Sequence, residues 1–194
     1  MIDHSREEFG FHSMRQSEPL FFDMQSFNMP KSCKELNLSV ITVKRACELN
    51  KLWHSRLPII DWSNVVRNTH YVNYVMIKDG IFFAVAIWSS PVAGNRMTDG
   101  DKCLELRRLA ISPDAPKYTA TRMISLMVKD IKKRFPDIMK LVSYQDTEVH
   151  TGTIYKASNW YAEKEVQGIS WTTNTRKRNK EQTIAKKIRW SLTI

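Results

Sequence analysis

CLELRRLAI (residues 103–111), TATRMISLMVKDIKKRF (119–135) and IMKLVSY (138–144) follow one another and carry the patterns of a strand, a helix and a second strand. In the first run Leu104 and Leu106 share one face of a strand, and so do Leu109 and Ile111. Strand side chains repeat every two residues, so both pairs reach one core only if an extra residue is absorbed near Arg107 and Arg108, which predicts a β-bulge. Such a bulge leaves a backbone N–H for a ligand. In the second run Ile124, Met127, Val128, Ile131 and Phe135 form an apolar stripe with Lys129, Lys132 and Lys133 off it, a helix over 120–135 with Thr119 as N-cap and Pro136 as stop. The third run reads as a buried strand. Together they predict a βαβ unit with a right-handed crossover, hence an α/β fold with a mixed central sheet flanked by helices.

Downstream, SYQDTEVHTGTIYKASNW (143–160) crowds carboxylates, a histidine, tyrosines and hydroxyls where that strand ends. Ligands of open α/β sheets bind beyond the carboxyl ends of strands, so the site belongs there. A short helix is expected over 151–158, then strands at 160–161 and 169–173 that close the sheet. Upstream, 71–77 and 81–88 read as strands joined by Lys78-Asp79-Gly80, whose Asp-Gly signals a hairpin. Residues 40–43 read as a strand, and 46–53 as a short helix that ends near His54 before Pro58. The chain divides into an N-terminal extension (1–36), a catalytic domain (37–175) and a basic C-terminal segment (176–194).

With 30 Lys and Arg against 20 Asp and Glu, the 194-residue chain carries a formal charge of +10, which favours a polyanionic partner. Cys33, Cys47 and Cys103 show neither disulfide nor metal spacing and fit a reducing cytoplasm. No apolar run reaches membrane-spanning length, so no membrane partner is expected. A homodimer is compatible with the chain.

Several side chains carry chemistry, each beside a plainer role. Asp146 can act as a general base, or with His54 as a metal-ligand pair of the type that suits iron; equally, it can cap the following turn. His150 is another base candidate. Ser143 and Tyr144 can donate hydrogen bonds at the strand's end. Arg107 or Arg108 can grip a phosphate or carboxylate if the bulge faces a groove. Lys129, Lys132 and Lys133, with Arg176, Lys177 and Arg178, can line a phosphate backbone, and Trp88, Trp160 and Tyr161 are aromatic candidates for holding an extruded base.

The succession of hairpin, bulged strand, helix, strand, short helix and closing strands resembles the GNAT acyltransferase fold. LELRRLAISPDAPKYTATRM (104–123), SYQDTEVHTGTIYKASNW and the upstream WHSRLP (53–58) are similar to the Mom-like proteins of phages and mobile elements, over roughly residues 38–172. The resemblance implies a DNA-modifying enzyme that adds an acetamido (methylcarbamoyl) group to adenine N6 of double-stranded DNA and protects it from restriction. It also implies an acetyl-CoA-like donor, with iron proposed for such enzymes. The conventional alternative is a GNAT N-acetyltransferase acting on aminoacyl-tRNA or a protein amine. Tyr155 stands where GNAT enzymes commonly place the tyrosine that protonates the departing thiolate. Arg108, Lys117, Tyr118, Thr119, Thr121 and Arg122 fall where the resemblance puts the donor. Two departures stand out: the 115–121 loop lacks the glycines of Q/R-x-x-G-x-G/A, and Ser55 follows His54 where relatives tend to have tyrosine.

Overall fold

The computed structural model describes residues 28–54, 60–92, 102–168 and 185–194. A seven-stranded sheet runs in the order β1-β2-β3-β4-β5-β7-β6. Its strands are β1 (Asn37–Val40), β2 (Tyr71–Lys78), β3 (Ile81–Ser89), β4 (Cys103–Ile111), β5 (Lys140–Asp146), β6 (Tyr161–Val166) and β7 (Lys187–Thr193). Every neighbouring pair is antiparallel except β4 and β5, which run parallel. Helices α1 (Val43–Trp53) and α2 (Trp62–Val66) belong to one face, and α3 (Thr119–Arg134) and α4 (Thr153–Lys156) to the other.

The hairpin forms as its Asp-Gly predicts, with Asp79 at φ 48° and Gly80 at φ 81°. The bulge is present as well: Ile87 pairs with Arg108 and Trp88 with Leu106, which leaves Arg107 without a Cα partner on β3. Leu104, Leu106, Leu109 and Ile111 accordingly pack in one core, while Ala110 joins the opposite one. Helix α3 presents Met123, Ile124, Met127 and Ile131 to that first core. Burying side chains of this size stabilises by roughly 1.5–3 kcal/mol each. From the rim, the Asp130 carboxylate accepts the Tyr74 hydroxyl at 2.6 Å and pairs with Arg134 at 2.9 Å, which ties the helix to β2.

Several sequence expectations need correction. The strand expected at 40–43 lies earlier, at β1, because the Thr42 side chain caps α1 and Val43 is its first residue. Helix α2 had no expectation; its five residues are too few to show a period. Thr119 is not the N-cap of α3. Tyr118 holds that place, and the Thr119 hydroxyl donates to the Pro116 carbonyl at 2.7 Å. The 1–36 extension is partly integral, since Ser32 and Glu35 form a capping box and Leu36 is fully buried. The 176–194 segment is not a tail throughout. Lys187–Thr193 is a central strand paired with β5 and β6, with Trp190 and Ser191 in the interior. Its basic residues masked an alternation in which Ile188, Trp190 and Leu192 face the core. The closing strand expected at 169–173, and Arg176, Lys177 and Arg178, lie outside the described residues.

Glu163 knots the far end of the sheet. It occupies the bulge between Ala162 and Lys164 and binds Lys140 of β5 at 2.8 Å, Arg189 of β7 at 2.8 Å, and the Ser191 hydroxyl. Partial burial works to raise its pKa, but the hydrogen bonds from Lys140, Ser191 and Arg189 prevail and hold it at about 2, below its ordinary 4.5. A depressed carboxylate pKa contributes stability that is present above the unfolded value and lost as pH falls through the folded one. In urea titrations Glu163→Gln is therefore expected to lose about 1–2 kcal/mol at neutral pH and to show a flatter stability profile than wild type below pH 4.5. Parallel profiles would contradict this assignment.

Candidate active site

Strands β4 and β5 pair only from Cys103 and Lys140 to Leu106 and Ser143; beyond that register they separate. The gap becomes a cavity of about 440 Å³, bordered by Arg107, Arg108, Ser143, Tyr144, Asp146, His150 and Tyr155, with His54 and Ala120 at its margins. Seven of the sequence candidates thus meet in one groove with His54, although they come from α1, β4, β5, the 147–152 turn and α4.

At the apex of the split the Ser143 hydroxyl donates to the Leu106 carbonyl at 3.2 Å and lies 2.9 Å from the Tyr155 hydroxyl. Either hydroxyl can be the donor in this second contact. Burial pushes the Tyr155 pKa up, partly offset by Ser143, so the phenol stays protonated at neutral pH. Its ring stacks on Trp190, with centroids 5.4 Å apart and planes at 15°, and leans on Trp160 at 5.7 Å.

Alternation along β5 sends Tyr144 and Asp146 to the face opposite Ser143. The groove passes between separated strands, so both faces reach it. The Asp146 Oδ1 accepts the Glu148 N–H at 3.0 Å and its carbonyl accepts the His150 N–H at 3.0 Å, so the turn-capping role is realised while the residue also borders the cavity. His54 ends α1, where its N–H donates to the Asn50 carbonyl at 2.8 Å. Burial lowers its pKa, with Arg108 and His150 adding to the effect, which leaves a neutral imidazole able to accept a proton. Burial likewise brings Arg108 down to about 10, and Arg107 beside it adds to the shift. Burial, then the Glu105 carboxylate, raises Tyr144.

The loop expected to hold a donor lacks glycine, yet it adopts the conformation glycine favours: Tyr118 sits at φ 67° and is 78% exposed. A left-handed residue opens the helix, and no side chain caps α3. Ala120 in its first turn borders the cavity, so the helix's positive end opens on the groove, an arrangement suited to phosphate. Tyr118, Thr121, Arg122 and Lys129 line a separate shallow groove with Lys34. Lys117, Lys132 and Lys133 are exposed. Among the described residues no group of three or more His, Cys, Asp or Glu is placed to hold a metal, and His54 and Asp146 both border the cavity.

Two aromatic expectations fail. Trp160 is 4% exposed, packed on Trp88 and Tyr155, and Trp88 is fully buried with its indole N–H 3.1 Å from the Met127 sulfur. Neither can hold an extruded base. Both continue the apolar interior of the sheet, a role that residue type alone does not separate from stacking. Sequence reasoning also passed over Gln145, buried against Trp190; its place on the inward face of β5, two residues after Ser143, was the available signal.

The sheet, its single parallel pair and the groove define a GNAT acetyltransferase fold. The ribosomal-protein-S18-alanine N-acetyltransferase of Escherichia coli has TM-score 0.58 at 13% identity, covering 82% of this chain and 94% of that one. The Bacillus subtilis acetyltransferase solved with CoA has TM-score 0.57 at 11% identity, covering 82% and 99%. The Vibrio cholerae spermidine N-acetyltransferase solved with CoA and spermine has TM-score 0.56 at 10% identity, covering 82% and 96%. No curated protein matches the sequence. The chain belongs to the Mom protein family, whose sequence profile matches residues 35–192 and so includes β7.

Gly152, at φ 75°, starts α4 where a Cβ would come within 2.6 Å of both Gln145 Oε1 and Trp190 Cζ2. Gly152→Ala combines backbone strain with a clash against two buried side chains. It is expected to lower the melting temperature and displace Tyr155, and a variant with unaltered melting temperature and activity would show that the turn is not this tightly packed.

Proposed function

We propose that this protein is a DNA-modifying transferase that moves an acyl group from an acyl-CoA-type thioester to adenine N6, the N6–acyl bond forming as the carbon–sulfur bond breaks and the thiolate departs. Membership of the Mom family supports the acceptor. The observation that carries the chemistry is the Tyr155 hydroxyl, protonated and held at the apex of the β4/β5 split. A CoA-type donor supplies an activated group with a thiolate as leaving group, and the open, uncapped end of α3 suits its phosphates.

Within the groove each residue has a part that its surroundings allow. Tyr155 holds a proton at its hydroxyl and can pass it to a departing thiolate; Ser143 keeps the phenol aimed at the apex. From the other face, the neutral imidazole of His54 or the carboxylate of Asp146 takes the proton that the attacking amine sheds. Such acid–base assistance typically contributes 10²–10⁴-fold. Arg107 and Arg108 give the wall positive potential beside the reacting atoms. The exposed lysines of α3 and the net charge of +10 favour a phosphate backbone, and adenine N6, tied up in pairing, becomes reachable when the base is flipped.

DNA from cells expressing the protein, digested to nucleosides and analysed by mass spectrometry, is expected to contain a modified deoxyadenosine. Unmodified DNA together with acetylated tRNA or protein would replace this reading with a conventional N-acetyltransferase. Tyr155→Phe is expected to fold and to lose about 100-fold or more of the activity, and full activity would reject the proton-donor role. If His54 is the base, kcat/KM keeps its plateau down to pH 6.5 and its acidic limb lies below that value, because the His54 pKa is lowered from 6.5. An acidic limb above 6.5 would exclude His54.

A further inference from the structure

We propose that Gln145 is a positioning residue whose carboxamide fixes the Tyr155 phenol at the reacting end of the groove; this rests on Tyr155 being the proton donor. Gln145 is 4% exposed, and both ends of its amide are engaged inside the protein. Its Oε1 accepts the Trp190 indole N–H at 2.7 Å, and its Nε2 donates to the His150 carbonyl. Trp190 is the ring on which Tyr155 stacks. His150 lies in the turn that leads to Gly152, and the Gly152 carbonyl accepts the N–H of Tyr155 at 3.1 Å. The same glycine rests against Gln145 and Trp190 so closely that no Cβ fits.

One side chain therefore clamps two things: the surface against which the phenol lies and the turn from which its helix starts. That helix is a single turn of four residues, too short to be stable by itself, so its position is inherited from these contacts. The Ser143 bond then records the result. A shift of α4 by an ångström would break it and move the proton away from the apex, and misplacement on this scale costs about 100-fold in rate.

Recognition here demands an acceptor for the indole and a donor for the carbonyl on one flat group. An amide supplies both. An ionised carboxylate supplies acceptors only, whereas a protonated carboxylic acid again supplies one of each. Gln145→Glu should therefore behave as a pH-dependent imitation of the native residue, and Gln145→Met as a permanent loss of both bonds.

The test measures kcat and KM for deoxyadenosine modification across pH for wild type, Gln145→Glu and Gln145→Met, the last also combined with Tyr155→Phe. Near-UV circular dichroism and thermal melts confirm that each variant is folded. Gln145→Met is expected to lower kcat by about 10- to 100-fold at every pH with KM unchanged. Gln145→Glu should approach wild-type kcat at acid pH and lose it as the carboxyl ionises, a step that burial moves upward. In the Tyr155→Phe background Gln145→Met should cost nothing more. An additive loss there, or a Gln145→Glu profile parallel to wild type, overturns the positioning role while leaving the proton-donor reading intact. Full activity of Tyr155→Phe alone overturns both. If Gln145→Met fails to fold, the Gln145→Glu pH series decides the question within one folded protein.

Discussion

The structure depends on the point where β4 and β5 cease to pair. Up to Leu106 and Ser143 the two strands share a parallel ladder; past it they part, and backbone groups that a continuous sheet would satisfy must be met otherwise. Ser143 meets one of them by donating to the Leu106 carbonyl, and its hydroxyl also holds the Tyr155 hydroxyl at the same apex. The bulge at Arg107 belongs to the same event. It lets β4 keep its apolar residues in the α3 core on both sides of the interruption while it bends away from β5. A gap in an otherwise well-paired sheet is thus stabilised from within, and the gap is the cavity.

Opening through the sheet gives the groove two chemically different sides. The α3/α4 side contributes an uncapped helix end and a protonated phenol backed by Trp190 and Trp160. The α1 side contributes a neutral histidine, the arginines and Asp146. Desolvation acts on both sides, raising the phenol and lowering the imidazole, so each group remains in its uncharged form at neutral pH. In the proposed reaction the phenol and the imidazole act from opposite walls on atoms that lie between them. The split provides that place.

Much of this was legible in the sequence. The Asp-Gly hairpin, the parity change at Arg107 and the stripe of α3 are local patterns, and each formed close to where it was expected. Ser143, Tyr144, Asp146, His150 and Tyr155 gather because a short stretch of chain turns back on the end of β5. What stayed hidden was tertiary. Basic residues interleaved with Ile188, Trp190 and Leu192 read as a charged tail until β5 supplies the partner that buries one face. Trp88 and Trp160 have the side chains of a base-stacking surface, and only burial distinguishes that from core. Tyr118 occupies a left-handed conformation that its side chain does not announce, so the loop looked incapable of a glycine-like turn that it in fact makes.

In the proposed reaction the parting of β4 and β5 delivers a thioester's sulfur to the Tyr155 hydroxyl. A crystal structure of the protein with CoA would show whether it does. The thiol is expected in the cavity, within about 3–3.5 Å of the phenolic oxygen, and the phosphates at the amino end of α3. CoA bound elsewhere, or a Tyr155 hydroxyl still enclosed by Ser143 and out of reach of the sulfur, would contradict it.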